Sequence, residues 1–186
     1  MEQINRLLEV ALSKGAIKYG QFVLSSGQTS DYYFDGRLLS LDPEGAYLIG
    51  NIVFPILERA GAQAVGGLTL GADPIVTAVS VTSHIMGKPI SGFIVRKDTK
   101  DHGTKQMIEG SLVRGTNVAI VDDVCTTGAS LFKAIEVSEA FDCRVVKVLS
   151  ILDRMQGGWD ELKRRGYDYT PILWASPDGN IIPARK

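Results

Sequence analysis

Residues Val118 to Ser130 read VAIVDDVCTTGAS, and the reading of this stretch decides the fold. Four apolar residues, Val118 to Val121, run straight into two carboxylates, Asp122 and Asp123. After Val124 and Cys125 come Thr126, Thr127, Gly128, Ala129 and Ser130, which carry almost no bulk. The apolar run reads as a buried strand over 117–121. The small residues read as a turn that opens a helix over 128–141.

The same alternation recurs outward from there. Buried strands are expected over AQAVGGL (62–68), KPISGFIVR (88–96), 144–152 and YDYTPILWAS (167–176), the last taken as the final strand. Helical spacing of Ile4, Leu7, Leu8, Ala11 and Leu12 predicts a first helix that stops at Gly15. Asp42, Pro43 and Glu44 read as N-cap, first position and acidic first turn of a helix that runs to about residue 60. Pro55 is expected to kink it. Further helices are expected over 73–85 and 159–165. FVLSSGQTSDYYFDGR (22–37) reads as two short strands around a polar turn, and KDTKDHGTKQMIEG (97–110) as a loop. Strands alternating with helices predict an α/β fold, a mostly parallel central sheet flanked by helices, with ligands at the carboxyl ends of the strands. No repeat, low-complexity tract or linker interrupts residues 1–186, which read as one domain.

Composition bounds the function. The chain is 45% hydrophobic and 22% charged, with a formal net charge of −1. No global basic field is present to recruit nucleic acid or an anionic membrane. Cys125 and Cys143 form neither a CxxC pair nor a disulfide framework, which fits a reducing compartment. No apolar run is long enough to span a bilayer, and the N-terminal residues lack a signal-peptide core. A cytoplasmic protein is the expectation.

The acid pair and the turn after it carry the chemistry. Two carboxylates at the end of a buried strand need hydroxyl donors, a metal or a cation. A small-residue turn opening a helix offers backbone N–H groups and a favourable dipole to a phosphate. Taken singly, the acids are an acidic turn and the threonines an N-cap. Contiguous after an apolar strand, they suit a phosphorylated ribose. Neither GxxxxGK[ST] nor GxGxxG is present. RKDTKDHGTK (96–105) adds Arg96, Lys97, Lys100, His102 and Lys105 around Gly103, a composition that suits a lid over an anionic leaving group. Cys125 stands among acids that raise its pKa, so it is not read as a nucleophile. His84, Trp159 and Trp174 read as structural.

The stretch 118–130 resembles the PRPP-binding motif of type I phosphoribosyltransferases. RKDTKDHGTKQMIEG resembles the catalytic loop of the orotate phosphoribosyltransferase family. FVLSSGQTSDYYFDGR and LDRMQGG (152–158) resemble two further segments of that family, in the same order. The resemblance implies the type I phosphoribosyltransferase fold, with a small hood from residues 1–40 and the C-terminal segment. It implies Mg²⁺-dependent transfer of phosphoribose from PRPP to orotate, giving orotidine 5′-monophosphate in pyrimidine biosynthesis. Asp122, Asp123, Val124, Cys125, Thr126, Thr127, Gly128, Ala129 and Ser130 would bind PRPP, with Arg96, Lys97, Lys100 and His102 closing on its diphosphate. Lys100, His102, Asp122 and Asp123 would be catalytic. Tyr33, Phe34, Thr126 and Arg154 would bind orotate. Guanidinium matches a carboxylate in fork geometry, while an ion pair of Arg154 with Asp153 or Glu161 is the plainer alternative. No residue would bind Mg²⁺ directly, the ion being held by PRPP and water. The family implies a homodimer whose lid, Lys97 included, reaches the partner's site. Two positions depart from the family pattern, Ser25 before the Ser-Gly turn and Gly71 in LTLGADPIV, where lysines are usual. The competing readings are transfer to a purine or uracil base, and a nucleotide-sensing regulator that binds RNA or DNA.

Overall fold

The computed structural model describes residues 1–23, 29–98 and 107–184. The architecture grows from five parallel strands, β3 (Ala64–Leu68), β4 (Ser91–Val95), β6 (Asn117–Cys125), β7 (Arg144–Asp153) and β8 (Tyr169–Ala175). Antiparallel β5 (Ile108–Gly110) and β9 (Ile181–Pro183) close the edges, giving the order β5-β4-β3-β6-β7-β8-β9. The sheet is therefore mixed but mostly parallel, the expected fold class.

Strand period 2 sorts the apolar residues onto two faces. Ala119 and Val121 of β6 join Leu7 and Val10 of α1 (Glu2–Ser13), Ile49 and Val53 of α3 (Pro43–Arg59), and Ile75 and Val79 of α4 (Asp73–Ile85). Val118 and Ile120 face the other way, against Leu131 and Ile135 of α5 (Ala129–Ala140) and Leu162 of α6 (Gly158–Arg164). Each such buried side chain contributes about 1.5–3 kcal/mol. Asp42 caps α3, accepting from the backbone N–H of Glu44 and Gly45 at 3.0 and 3.1 Å. The helix runs unbroken through Pro55, because Val53, Phe54 and Leu57 on either side of it are buried. That burial offsets the lost backbone hydrogen bond.

Several elements differ from expectation. Residues 108–110, read as loop, form β5, since Val95 and Ile94 present a free edge that pairs with Ile108 and Glu109. Residues 181–183 add β9 beyond the expected last strand. Gly36–Ser40 forms a short helix, α2, capped by Asp35. β6 extends through the acids to Cys125, because β7 continues beside it as far as Asp153. Antiparallel β1 (Ile17–Val23) and β2 (Thr29–Phe34) form a separate two-stranded sheet. Tyr19 Oη of β1 accepts from the N–H of Ile181 at 3.0 Å, tying this hairpin to β9.

Gly67 shows how tightly β3 is laid against β6. A β-carbon there would sit 2.1 Å from the Val121 carbonyl oxygen. Backbone cannot yield as a side-chain tip can, so Gly67→Ala is expected to lower stability by about 3 kcal/mol, the upper range for overpacking. Chemical denaturation checks this, and an unchanged midpoint would contradict it.

Candidate active site

The chain leaves β3 toward β4 on one side and later returns as β6 on the other, so strand order reverses between β3 and β6. Pairing of β3 with β6 ends at Gly66 and Ile120, whereas β6 stays paired with β7 to Cys125. The two strand ends part there and open a cleft of about 380 Å³, at the position where open α/β sheets bind ligands.

Asp122 and Asp123 stand in that opening. Asp122 is 5% exposed, and its Oδ1 accepts from the Asp123 N–H at 3.0 Å. Burial, reinforced by the Asp123 charge, raises the Asp122 carboxyl to about 8. Burial raises Asp123 as well. Burial thus works against charge on both carboxylates, and donors or cations brought by a ligand would favour their ionised forms. Backbone presses on the pair from two directions. A β-carbon on Gly36 would lie 2.7 Å from Asp123 Oδ2, and one on Gly71 would lie 2.6 Å from Oδ1 of both aspartates. A side chain at 71 would therefore have to displace both carboxylates, which fits a glycine rather than a lysine at this position. The Thr69–Leu70 peptide beside it is cis.

The turn after β6 forms the opposite wall. Gly128 adopts φ +85°, the left-handed conformation that favours glycine, and is the N-cap of α5 without a side-chain cap bond. The threonines are therefore not caps. The hydroxyls of Thr126, Thr127 and Ser130 bond to none of the described residues, and residues 126–131, which include the first turn of α5, line the cleft. LDRMQGG braces this turn from behind. The Arg154 N–H donates to Cys125 O at 2.8 Å, and the Gly158 N–H to Thr126 O at 3.0 Å.

The structure brings Tyr33, Phe34, Lys97, Asp122, Asp123 and Val124 to one cleft with Thr126 to Ser130. Other expected residues stand elsewhere. Cys125 is buried behind the turn, and its thiol is pushed up to about 12, mainly by burial and next by Asp153. Arg96 pairs with Glu109 across β4 and β5 at 3.1 Å and lines an adjoining groove. Lys97, two residues beyond the end of β4, lines the cleft of its own chain. Arg154 lies outside the lining. Its guanidinium stacks 5.0 Å from the Tyr32 ring centroid, and its buried Nη1 has no partner among the described residues. The alternative ion pairs are not formed, since Asp153 Oδ1 accepts from the Met155 N–H and Glu161 binds Arg164 and Arg165. Lys100, His102 and Ser25 lie outside the described residues.

Sequence reading did not single out Tyr32, Asp35 or Arg37, and it noted the 68–71 segment only for the absence of a lysine at Gly71. Alternation along β2 buries Tyr32 and Phe34 on one face and leaves Tyr33 on the other, against Phe22 at 5.7 Å. Period 2 was the available signal for Tyr32. Nothing local marks 68–71, which reaches the acids only through the β3–β6 divergence.

The model for the phosphoribosyl transferase domain matches residues 65–170. The chain is 49% identical over 171 residues to an orotate phosphoribosyltransferase of a Nostoc species, covering 91% of this chain and 82% of the relative. It is 43% identical to that of Aquifex aeolicus, covering 78% and 79%. Among solved structures, the orotate phosphoribosyltransferase of Mycobacterium tuberculosis in complex with Fe(III) dicitrate superposes with a TM-score of 0.80 at 36% identity, covering 92% and 96%. The same enzyme in complex with PRPP gives a TM-score of 0.77 at 33% identity, with the same coverage.

Proposed function

The chain belongs to the orotate phosphoribosyltransferases, and we propose that it makes orotidine 5′-monophosphate and pyrophosphate from orotate and PRPP, with Mg²⁺, in pyrimidine biosynthesis. The observation that carries this reading is one cleft holding a buried acid pair opposite an uncapped helix start. Ribose hydroxyls donate to Asp122 and Asp123, and the 5-phosphate accepts from the 126–130 turn. Lys97 faces the diphosphate. Arg96, Lys100 and His102 are the lid, with His102 suited to protonate the departing diphosphate. Orotate N1 forms the new bond to C1 as the C1–O bond to diphosphate breaks, so the protein's work is positioning and charge stabilisation. The hood built from residues 1–40 and the C-terminal segment covers the base, with Tyr33 and Phe34 of β2 lining its site and Thr126 at its edge.

The donor set suits Mg²⁺ in a particular way. Asp122 and Asp123 offer hard oxygens, but among the described residues no group of three ligating side chains is present. Such a pair fits an ion brought in by the diphosphate and its water. When bound, that ion neutralises charge on the leaving group.

The direct test is to mix the protein with PRPP, Mg²⁺ and orotate and follow the loss of orotate absorbance. Comparable turnover of uracil, adenine or hypoxanthine would overturn the choice of base. No helix among the described residues is long and apolar enough to cross a membrane, and the reading places the enzyme in the cytoplasm without a nucleic-acid partner.

Arg154 has an open, buried donor over an aromatic ring, suited to the orotate carboxylate. Arg154→Ala is expected to raise KM for orotate about 30-fold, the loss of roughly 2 kcal/mol for one charged hydrogen bond, with KM for PRPP little changed. Steady-state kinetics in both substrates would show it.

The active form we infer is a homodimer in which Lys100 and His102 serve the partner's cleft. Lys100→Ala is expected to lower kcat about 10²-fold, as for loss of one preorganised donor. Mixing this variant with Asp123→Asn under subunit exchange then gives heterodimers with one intact site. An equimolar mixture should recover about a quarter of wild-type activity. No recovery after demonstrated exchange would place the lid in its own subunit.

A further inference from the structure

The charges around the cleft leave one cation without a role. Among the described residues lining it, the acids are Asp35, Asp122 and Asp123, and the cations are Lys97 and Arg37. A ligand carrying several negative charges enters a cleft where acids outnumber cations. Before a lid closes, Lys97 and Arg37 are the cations among the described residues that line the cleft. We propose that Arg37 is a substrate-binding residue, whose guanidinium takes the diphosphate of PRPP as a second cation opposite Lys97. This inference rests on the reading that the cleft binds PRPP.

Three features of Arg37 support it. Its side chain is held in place before any ligand arrives, with Nε and Nη2 donating to Asp35 Oδ1 and Oδ2 at 2.9 and 3.0 Å. Asp35 itself is fixed, because it also accepts from the Arg37 backbone N–H at 3.1 Å as the cap of α2. A fork clamped on one edge loses little freedom when its other edge binds an anion. That other edge is open, since Nη1 bonds to none of the described residues and the side chain is 51% exposed. The position also suits the leaving group. Arg37 follows Gly36, whose backbone lies against Asp123, and Gly71 lies against the same carboxylate from the 68–71 segment. The acid that holds the ribose is thus bracketed by the 36–37 and 68–71 segments, and Arg37 reaches the cleft from the first. The Arg37 charge is felt at Asp123, where it favours the ionised form.

A purely structural Arg37 would act only by clamping Asp35 and keeping α2 in place. The two roles separate in kinetics and in direct binding. Arg37→Ala, Arg37→Lys and wild type are compared for KM of PRPP, KM of orotate, calorimetric affinity for pyrophosphate with Mg²⁺, and Tm. We expect Arg37→Ala to raise KM for PRPP and weaken pyrophosphate binding about 10- to 100-fold, the range for one charged hydrogen bond. KM for orotate should stay within about twofold, and Arg37→Lys should recover part of the loss because it keeps the charge and not the fork. An equal rise in both KM values together with a fallen Tm would overturn the proposal in favour of the clamp. Unchanged pyrophosphate affinity would overturn it outright. Failure of the wild type to bind PRPP would instead strike the underlying reading of the cleft.

Discussion

Asp122→Asn/Asp123→Asn is expected to lose activity on the order of 10⁴-fold while melting at a higher temperature than wild type at pH 8. Each carboxylate loses a charge-assisted bond to a ribose hydroxyl, about 1.5–3 kcal/mol, and two such losses reach that magnitude. The stability change runs the other way. An unfolded aspartate titrates near 4, whereas burial raises Asp122 to about 8 in the folded protein. Between those values the folded state binds more protons than the unfolded state, so wild-type stability falls as pH rises through that window. Asparagine removes the titration. The gain in Tm should therefore be large at pH 8, shrink as pH falls toward 4, and vanish below that, where both states are protonated. Thermal melts across pH 4–8 and steady-state kinetics check both halves. Lower stability of the variant at pH 8 would show that the pair is compensated in the free enzyme.

Gly71→Ala is expected to cost about 10³-fold in kcat/KM for PRPP. Its β-carbon would stand 2.6 Å from an oxygen of each aspartate. Both carboxylates, or the 68–71 segment, must then shift by nearly an ångström, and a misplacement of about 1 Å costs roughly 10²-fold for a single group. The overall fold should survive, since the displaced atoms line a cleft. Kinetics beside circular dichroism provide the check, and activity within threefold of wild type would show that the pair moves freely.

Much of this protein is legible in its sequence because the signals are local. Apolar runs and helical spacing set the alternation of strands and helices. Asp42-Pro43-Glu44 marks a helix start through caps that act within three residues. The acid pair and the small-residue turn are contiguous, so their joint chemistry can be read without the fold, whereas the cap at Gly128 rather than at a threonine is seen only in the structure.

What only the tertiary structure decided depends on contacts between distant segments. Residues 108–110 become a strand because β4 offers an unpaired edge, which no property of Ile108, Glu109 or Gly110 announces. Gly71 reads locally as a missing lysine, but the divergence of β3 from β6 brings its backbone onto both aspartates. Lys97 reads as part of a lid and proves to line its own chain's cleft, because β4 ends beside β3. Arg37 and Tyr32 enter the picture only once the hairpin and α2 are folded against the sheet. Sequence determined which chemistry this chain carries. The divergence of β3 from β6 determined which residues face it, since close approach of backbone to side chain is a property of packing and leaves no mark on either segment alone.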